Sequence, residues 1–517
     1  MKYLIDPIPK TFSYIKKQFF RILSSLYKSD IFPWIIISFG TVLRISQYLF
    51  NRSLWLDESM LALNIINSSF TELLKPLDYN QGAPIGFLMV EKLLVQVFGN
   101  SEYVLRVFPL FCGIISLFLF YKVAIYYIKQ NATLIALFLF AITDSLIYYS
   151  SECKQYSSDV AVALLLYLVT IYIQLKGLTI SRISFFGVIG AIVIWFSHPA
   201  TFILAGIGLS LTLFYLGKKE WKKIGKLLIV YSIWILSFTT FYFISISSLT
   251  QNESLLGYWK NGFMPFPPQI KWFSDTFLNI LKTPICLSSF PGIVALIFLI
   301  GCISIFLKKK EEFLTLIPPI FFTLLASGLK KYPFSGRLLL FIVPIILIFI
   351  AEGVEKIGFI TYKYSAEKLL PFLVIILVGL LIFNSLISSS LHLIKPRTRE
   401  EIKPVLSYIK KNKQSGDLIY LYYASRVAFK YYSESYGFKD NDYIVGVSSR
   451  YNPKNYIDDL DKLRGNKRIW ILFSHVFLRV VNEEEFFLNH LNSIGRKVDS
   501  FKAPGASVYL YDLREKN

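Results

Sequence analysis

The chain is 517 residues long, with 54% hydrophobic and 17% aromatic side chains, and its 55 Lys and Arg against 34 Asp and Glu give a formal charge of +21. Apolar residues come in repeated runs near the ~20 that span a bilayer, which excludes a soluble enzyme and explains the charge by cytoplasmic loops facing anionic lipid rather than by nucleic acid. Four cysteines (Cys112, Cys153, Cys286, Cys302) are scattered in or beside apolar segments and form neither a disulfide framework nor a zinc spacing.

Residues 1–30 carry Lys10, Lys16, Lys17, Arg21 and Lys28 without a compact apolar run, so they read as a cytoplasmic lead-in and not as a cleaved signal. The first span, Ile31 to Phe50, then runs outward. It ends at Leu54-Trp55-Leu56-Asp57-Glu58, two adjacent carboxylates on the trans side in a first loop of 51–103. A carboxylate at the end of a span faces water and still reaches a lipid-borne substrate, so this loop is the candidate catalytic one. The alternative is an interfacial Trp55 beside two acids at a surface helix N-terminus. Met60 to Ile66 and Ile85 to Phe98 suit helices lying along the interface.

Further spans are expected at Val104 to Ile128, Leu134 to Tyr149 and Val160 to Leu175, with a polar patch, Tyr148 to Tyr156, between the last two. Ile183 to Leu216 has one ionisable side chain, His198; as a single helix it would be roughly 50 Å long, so two spans with a trans turn at His198 fit better. Lys218, Lys219, Lys222, Lys223 and Lys226 mark the inside. Leu227 to Ile246 leads to a long trans loop through Lys282, where Pro265, Pro267 and Pro268 argue against regular helix. Pro284 to Leu307, Phe313 to Leu329, Leu338 to Ala351 and Leu369 to Leu391 bring the expected spans to about eleven. Lys330, Lys331 and Arg337 break the charge rule on a short trans loop, which calls for something anionic there.

The tail, 392–517, is expected outside the cytoplasm as a small α/β domain. Glu400 to Lys413 has helical periodicity, while Asp417 to Tyr423, Tyr443 to Val447, Arg468 to Val476 and Glu483 to Ile494 alternate like strands. No nucleotide-binding glycine pattern occurs in it.

Together these pieces resemble the GT-C membrane glycosyltransferases, specifically the protein O-mannosyltransferase and aminoarabinose-transferase group. The resemblance covers about residues 30 to 350 and lies in the order of motifs: Asp57-Glu58 after the first span, Ala83-Pro84-Ile85, Phe98-Gly99 before Arg106, Glu152-x-Lys154-x-Tyr156 after the third span, and Tyr332 to Pro344 with Arg337. Ala83-Pro84, with Gln81 nearby, stands where relatives often have His-Pro-Pro, and Lys154 where Arg is usual, which leaves acceptor identity and donor-head geometry open.

The resemblance implies a mainly α, polytopic fold with a transmembrane catalytic domain at 31–391; the abundance of Lys, Ile and Asn, which suits an A/T-rich genome, favours a bacterial plasma membrane. The resemblance also implies transfer of a sugar from a polyprenyl-phosphate donor to a glycan, lipid or protein acceptor, with no cofactor or metal assigned. Removing the acceptor proton suits a carboxylate, first Asp57. Side chains at i and i+1 diverge by ~100° on a helix, so Glu58 is assigned to orienting the acceptor or binding sugar hydroxyls. Arg337 suits the departing phosphate, with Lys330, Lys331 and Lys154 beside it. Arg106 and Lys154 touch donor or neutralise Glu102 and Glu152; Glu152, Tyr156, His198 and Tyr332 complete the substrate-binding candidates. A transporter or flippase, or a polymerase or ligase using a polyprenyl-pyrophosphate donor, are the competing classes.

Overall fold

Each apolar run folds as helix, because backbone in hydrocarbon must satisfy its own N–H and C=O groups. The computed structural model describes residues 31–514 apart from 286, 288–289, 365–368, 451 and 478–481. The expected lead-in and Cys286 lie outside the described residues.

In chain order the helices are α1 (Phe32–Leu49), α2 (Leu56–Asn67), α3 (Ile85–Phe98), α4 (Val104–Tyr127), α5 (Gln130–Ile142), α6 (Asp144–Tyr149), α7 (Tyr156–Lys176) and α8 (Ile180–Phe196). There follow α9 (Ala200–Gly217), α10 (Trp221–Phe241), α11 (Ile270–Lys282), α12 (Pro291–Lys308), α13 (Lys310–Leu316), α14 (Pro318–Gly328), α15 (Val343–Tyr364) and α16 (Leu369–Leu391), joined by short helical turns. Among the described residues seven helices are long and apolar enough to cross a membrane unaided, and α5, α8 and part of α16 are shorter apolar helices. The expected spans fall mainly on helix, although the one expected from Pro284 becomes regular only at Pro291 and the one expected from Leu338 begins in a tighter 3-10 turn ending at Ile342. Buried Arg44 of α1 donates to the carbonyls of Gly40 (2.9 Å) and Ala141 (3.2 Å). Helices α12 and α15 meet through Gly301 and Gly353; a Cβ on Gly301 would lie 1.8 Å from the Phe349 carbonyl oxygen.

Several expectations need correction. The third segment breaks at Thr143, between α5 and α6, and the ninth at Ile317, before Pro318 and Pro319. Regular helix does form in the long loop, as α11, because the prolines precede it rather than interrupt it. Helix α3 does not lie free along an interface: Glu91 and Lys92 are buried and α3 packs on α4 and α8.

After α16 come α17 (Ile402–Asn412), β1 (Leu418–Leu421), α18 (Ser425–Tyr436), β2 (Tyr443–Val445), α19 (Pro453–Asp461), β3 (Ile469–Ser474), α20 (Glu483–Ile494), β4 (Arg496–Ala503) and β5 (Ala506–Asp512). The sheet order is β2-β1-β3-β5-β4, with β1 parallel to β2 and β3, and β5 antiparallel to β3 and β4. Glu483 to Ile494 is helix and not strand. Asn482 caps it, three Glu occupy its first turn, and Phe487, Leu491 and Ile494 bury one face. The core of this region is continuous with α2 and α3, where Leu54, Leu61 and Phe87 join Val405, Phe429 and Trp470.

Candidate active site

The loop from Asn51 to Trp55 leaves α1 and enters α2 at Leu56, whose first turn holds Asp57 and Glu58. These neighbours point to different partners, as the 100° rotation between them requires. Glu58 is fully buried and takes a bidentate pair from Arg106, Nε to Oε1 at 2.9 Å and Nη2 to Oε2 at 2.8 Å. The Cys153 N–H adds a third donor at 2.8 Å. Burial alone would raise the Glu58 carboxyl, but Arg106, Arg52 and these hydrogen bonds hold it below the ordinary carboxylate value.

Asp57 is partly open, its side chain 18% exposed, and lies between two cations: Lys154 Nζ at 3.2 Å from Oδ1 and Arg337 Nη2 at 2.6 Å from Oδ2. Burial pushes this carboxyl up, and Lys154 and Arg337 outweigh it, holding it at about 2. Lys154 Nζ also donates to Gln81 Oε1 at 2.6 Å. The Arg337 guanidinium lies over three rings, Trp55 at 5.5 Å, Tyr156 at 5.6 Å and Trp259 at 5.9 Å.

Glu152 accepts from the Trp55 indole N–H through Oε1, and its Oε2 is buried with no hydrogen-bond partner. Burial and the nearby Glu58 push its carboxyl up, against Arg399, Arg52 and Arg337. Arg106 and Lys154 therefore pair with Glu58 and Asp57, and not with Glu102 and Glu152, the partners weighed for them beside donor contact; Glu102 pairs instead with Lys403 at 2.9 Å.

Of the other candidates, Tyr156 stays at the site, its ring beside Arg337. Tyr156 is buried beside Tyr149, ring centroids 5.1 Å apart. Tyr332 donates to the Leu338 carbonyl at 2.9 Å, and its ring meets Phe202. His198 lies against Phe241 in the turn between α8 and α9 with Nε2 buried and unpartnered, and burial lowers it to about 4, so it is neutral at neutral pH. Lys330 and Lys331 are exposed. Among the described residues no three His, Cys, Asp or Glu side chains form a cluster able to hold a metal ion.

The candidates missed by sequence reasoning come from the tail. Glu401 Oε2 accepts from the Ser53 N–H (3.1 Å) and Oγ (2.9 Å), and Tyr432 Oη accepts from the Leu54 N–H at 2.8 Å. Glu400 Oε2 accepts from the Leu56 N–H at 2.9 Å, so the helix that carries Asp57 is capped by a residue more than 300 positions away. Glu400 Oε1 in turn meets His475 Nδ1 at 2.5 Å. Glu400→Ala is expected to cost about 1 kcal/mol, as loss of an N-cap acceptor does. A lower melting temperature of the purified protein checks this, and an unchanged one removes the cap from the account.

No protein-family model matches the sequence, and no curated protein sequence matches it. Solved structures do match. ArnT from Cupriavidus metallidurans bound to undecaprenyl phosphate superposes with a TM-score of 0.53 at 9% identity, covering 93% of this chain and 98% of that one. ArnT in the apo state gives 0.50 at 10% identity, with the same coverage. The oligosaccharyltransferase of Archaeoglobus fulgidus tethered with an acceptor peptide gives 0.49 at 11% identity, covering 95% of this chain and 74% of that one. The chain has the fold of ArnT, the GT-C fold expected from its motifs.

Proposed function

We propose, from that fold and from the Asp57 site, that the chain is a membrane glycosyltransferase moving a sugar from a polyprenyl-phosphate donor to an acceptor hydroxyl or amine on the extracytoplasmic face. The observation that carries this reading is the partly open carboxylate of Asp57 in the first turn of α2, flanked by Lys154 and Arg337. ArnT, whose fold the chain shares, is known in a complex with undecaprenyl phosphate. The Lys218 to Lys226 cluster at the opposite end of α9 favours a cytoplasmic face there and an extracytoplasmic Asp57.

The acceptor oxygen or nitrogen attacks the anomeric carbon, the bond from that carbon to the phosphate oxygen breaks, and the phosphate leaves with the electron pair. Attack opposite the leaving group inverts the carbon. The proton goes to Asp57 Oδ. At about 2, held there by Lys154 and Arg337, the Asp57 carboxyl is a weak base. Arg337 and Lys154 are also the cations a donor phosphate would attract, and drawing them off Asp57 raises its basicity as the substrate arrives. Charge on the phosphate grows as it leaves, so the same cations bind the transition state more tightly than the donor. Glu58, held by Arg106, fixes the loop rather than contacting the acceptor.

The test is sugar transfer by purified protein in liposomes, offered a panel of radiolabelled polyprenyl-monophosphate sugars and membrane extract. Release of free polyprenyl phosphate is expected. Movement of intact lipid between leaflets without release would turn the reading to a flippase, and turnover only of pyrophosphate-linked donors would turn it to a polymerase or ligase.

A further inference from the structure

We infer that Arg399, supplied by the segment joining α16 to α17, is a second phosphate-binding arginine of the donor site, sharing the Trp55 ring with Arg337. The inference rests on the donor reading above and extends it to a part of the chain that no motif marks.

Three observations carry it. The Arg399 guanidinium lies 4.0 Å from the centroid of Trp55 and 5.4 Å from that of Tyr148, while Arg337 lies 5.5 Å from the same Trp55. Both forks thus share one indole, whose N–H is tied to Glu152. Secondly, Arg337 has a carboxylate partner in Asp57, whereas Arg399 has no ion pair among the described residues; its Nη2 donates only to the Tyr149 hydroxyl, at 3.3 Å. A guanidinium has five N–H donors, so its remaining capacity suits the oxygens of an anion. Thirdly, Arg399 acts on the buried Glu152 carboxyl together with Arg52 and Arg337, so three guanidiniums converge on the Trp55–Glu152 pair.

The backbone holds Arg399 in place. Glu401 N–H donates to the Pro504 carbonyl at 2.8 Å, and Gly505 of the β4–β5 turn sits at φ +68° against the segment. A Cβ on Gly505 would lie 2.0 Å from the Arg399 carbonyl oxygen, so only glycine permits this approach. The tail therefore delivers the arginine as well as capping α2.

The chemistry recognised is a phosphate on an isoprenoid chain, and an anionic phospholipid headgroup offers a similar charge. Full-length protein in detergent would be titrated with undecaprenyl phosphate, with undecaprenol and with phosphatidylglycerol. Wild type is expected to prefer undecaprenyl phosphate over both. Arg399→Gln should lower that preference at least about tenfold, the loss of a charge-assisted hydrogen bond, with undecaprenol affinity unchanged. Arg399→Lys, which keeps charge but not the fork, should fall between, and serves as the readout if the Gln variant does not fold. Gly505→Ala should weaken the same preference with the guanidinium intact. Should Arg399→Gln, or the Lys variant in its place, match wild type while Arg337→Gln loses the preference, Arg399 lies outside the site and the donor reading stands. Equal binding of undecaprenyl phosphate and undecaprenol by wild type overturns the donor reading and this inference together. Phosphatidylglycerol competing as well as undecaprenyl phosphate overturns a dedicated donor site.

Discussion

Asp57→Asn is expected to lower sugar transfer by about 10²–10⁴-fold, the contribution of a positioned general base. Asn keeps the size and the hydrogen-bonding capacity of the side chain, so α2 and its cap from Glu400 should survive. Lys154 and Arg337 then lose their counter-ion. Polyprenyl phosphate should therefore bind at least as tightly as to wild type, a split between turnover and affinity that a merely damaged site does not produce. Release of labelled polyprenyl phosphate and lipid titration measure the two halves. Wild-type turnover in Asp57→Asn would transfer the base role to Glu152, whose Oε2 has no partner.

Arg106→Met should be the most destabilising of the single changes. It leaves Glu58, which is 0% exposed, without its bidentate partner, and a lone buried charge costs about 3–5 kcal/mol. Arg106 also donates to the carbonyls of Arg52 (2.7 Å) and Ser53 (3.3 Å), so the loop before α2 loses its anchor at the same time. Replacing both partners, Glu58→Gln with Arg106→Gln, removes the unpaired charge and is expected to recover much of the melting temperature in detergent. A melt of Arg106→Met equal to wild type would mean that the pair contributes nothing to stability, and a double variant no better than the single would assign the loss to the loop carbonyls.

The spans were legible because a bilayer acts on local composition: any run of the required length and apolarity is forced into helix wherever it falls. The divergence of Asp57 and Glu58 was legible for a similar reason, since it follows from helical rotation alone. Partner choice was not. Asp57 meets Lys154 and Arg337, nearly 100 and 280 positions away, and Arg106 chooses Glu58 over the nearer Glu102, because helix packing and not sequence distance brings charges together. Lys330 and Lys331 show the converse, since belonging to the same basic loop as Arg337 did not bring them into the site. Glu483 to Ile494 misled because its apolar residues were read by alternation, while Phe487 and Leu491 stand at the spacing of one helix face.

The sequence by itself determined a chain of membrane helices with a distinct C-terminal region and a pair of acids after the first span, because hydrophobic run length and helical periodicity are properties of neighbouring residues. Only the tertiary structure decided that one acid is locked to Arg106 and the other opens between two cations. It alone showed that the tail caps the helix bearing both and brings Arg399 to Trp55. Those contacts join residues from 48 to 344 positions apart, and no local rule of composition or spacing encodes them.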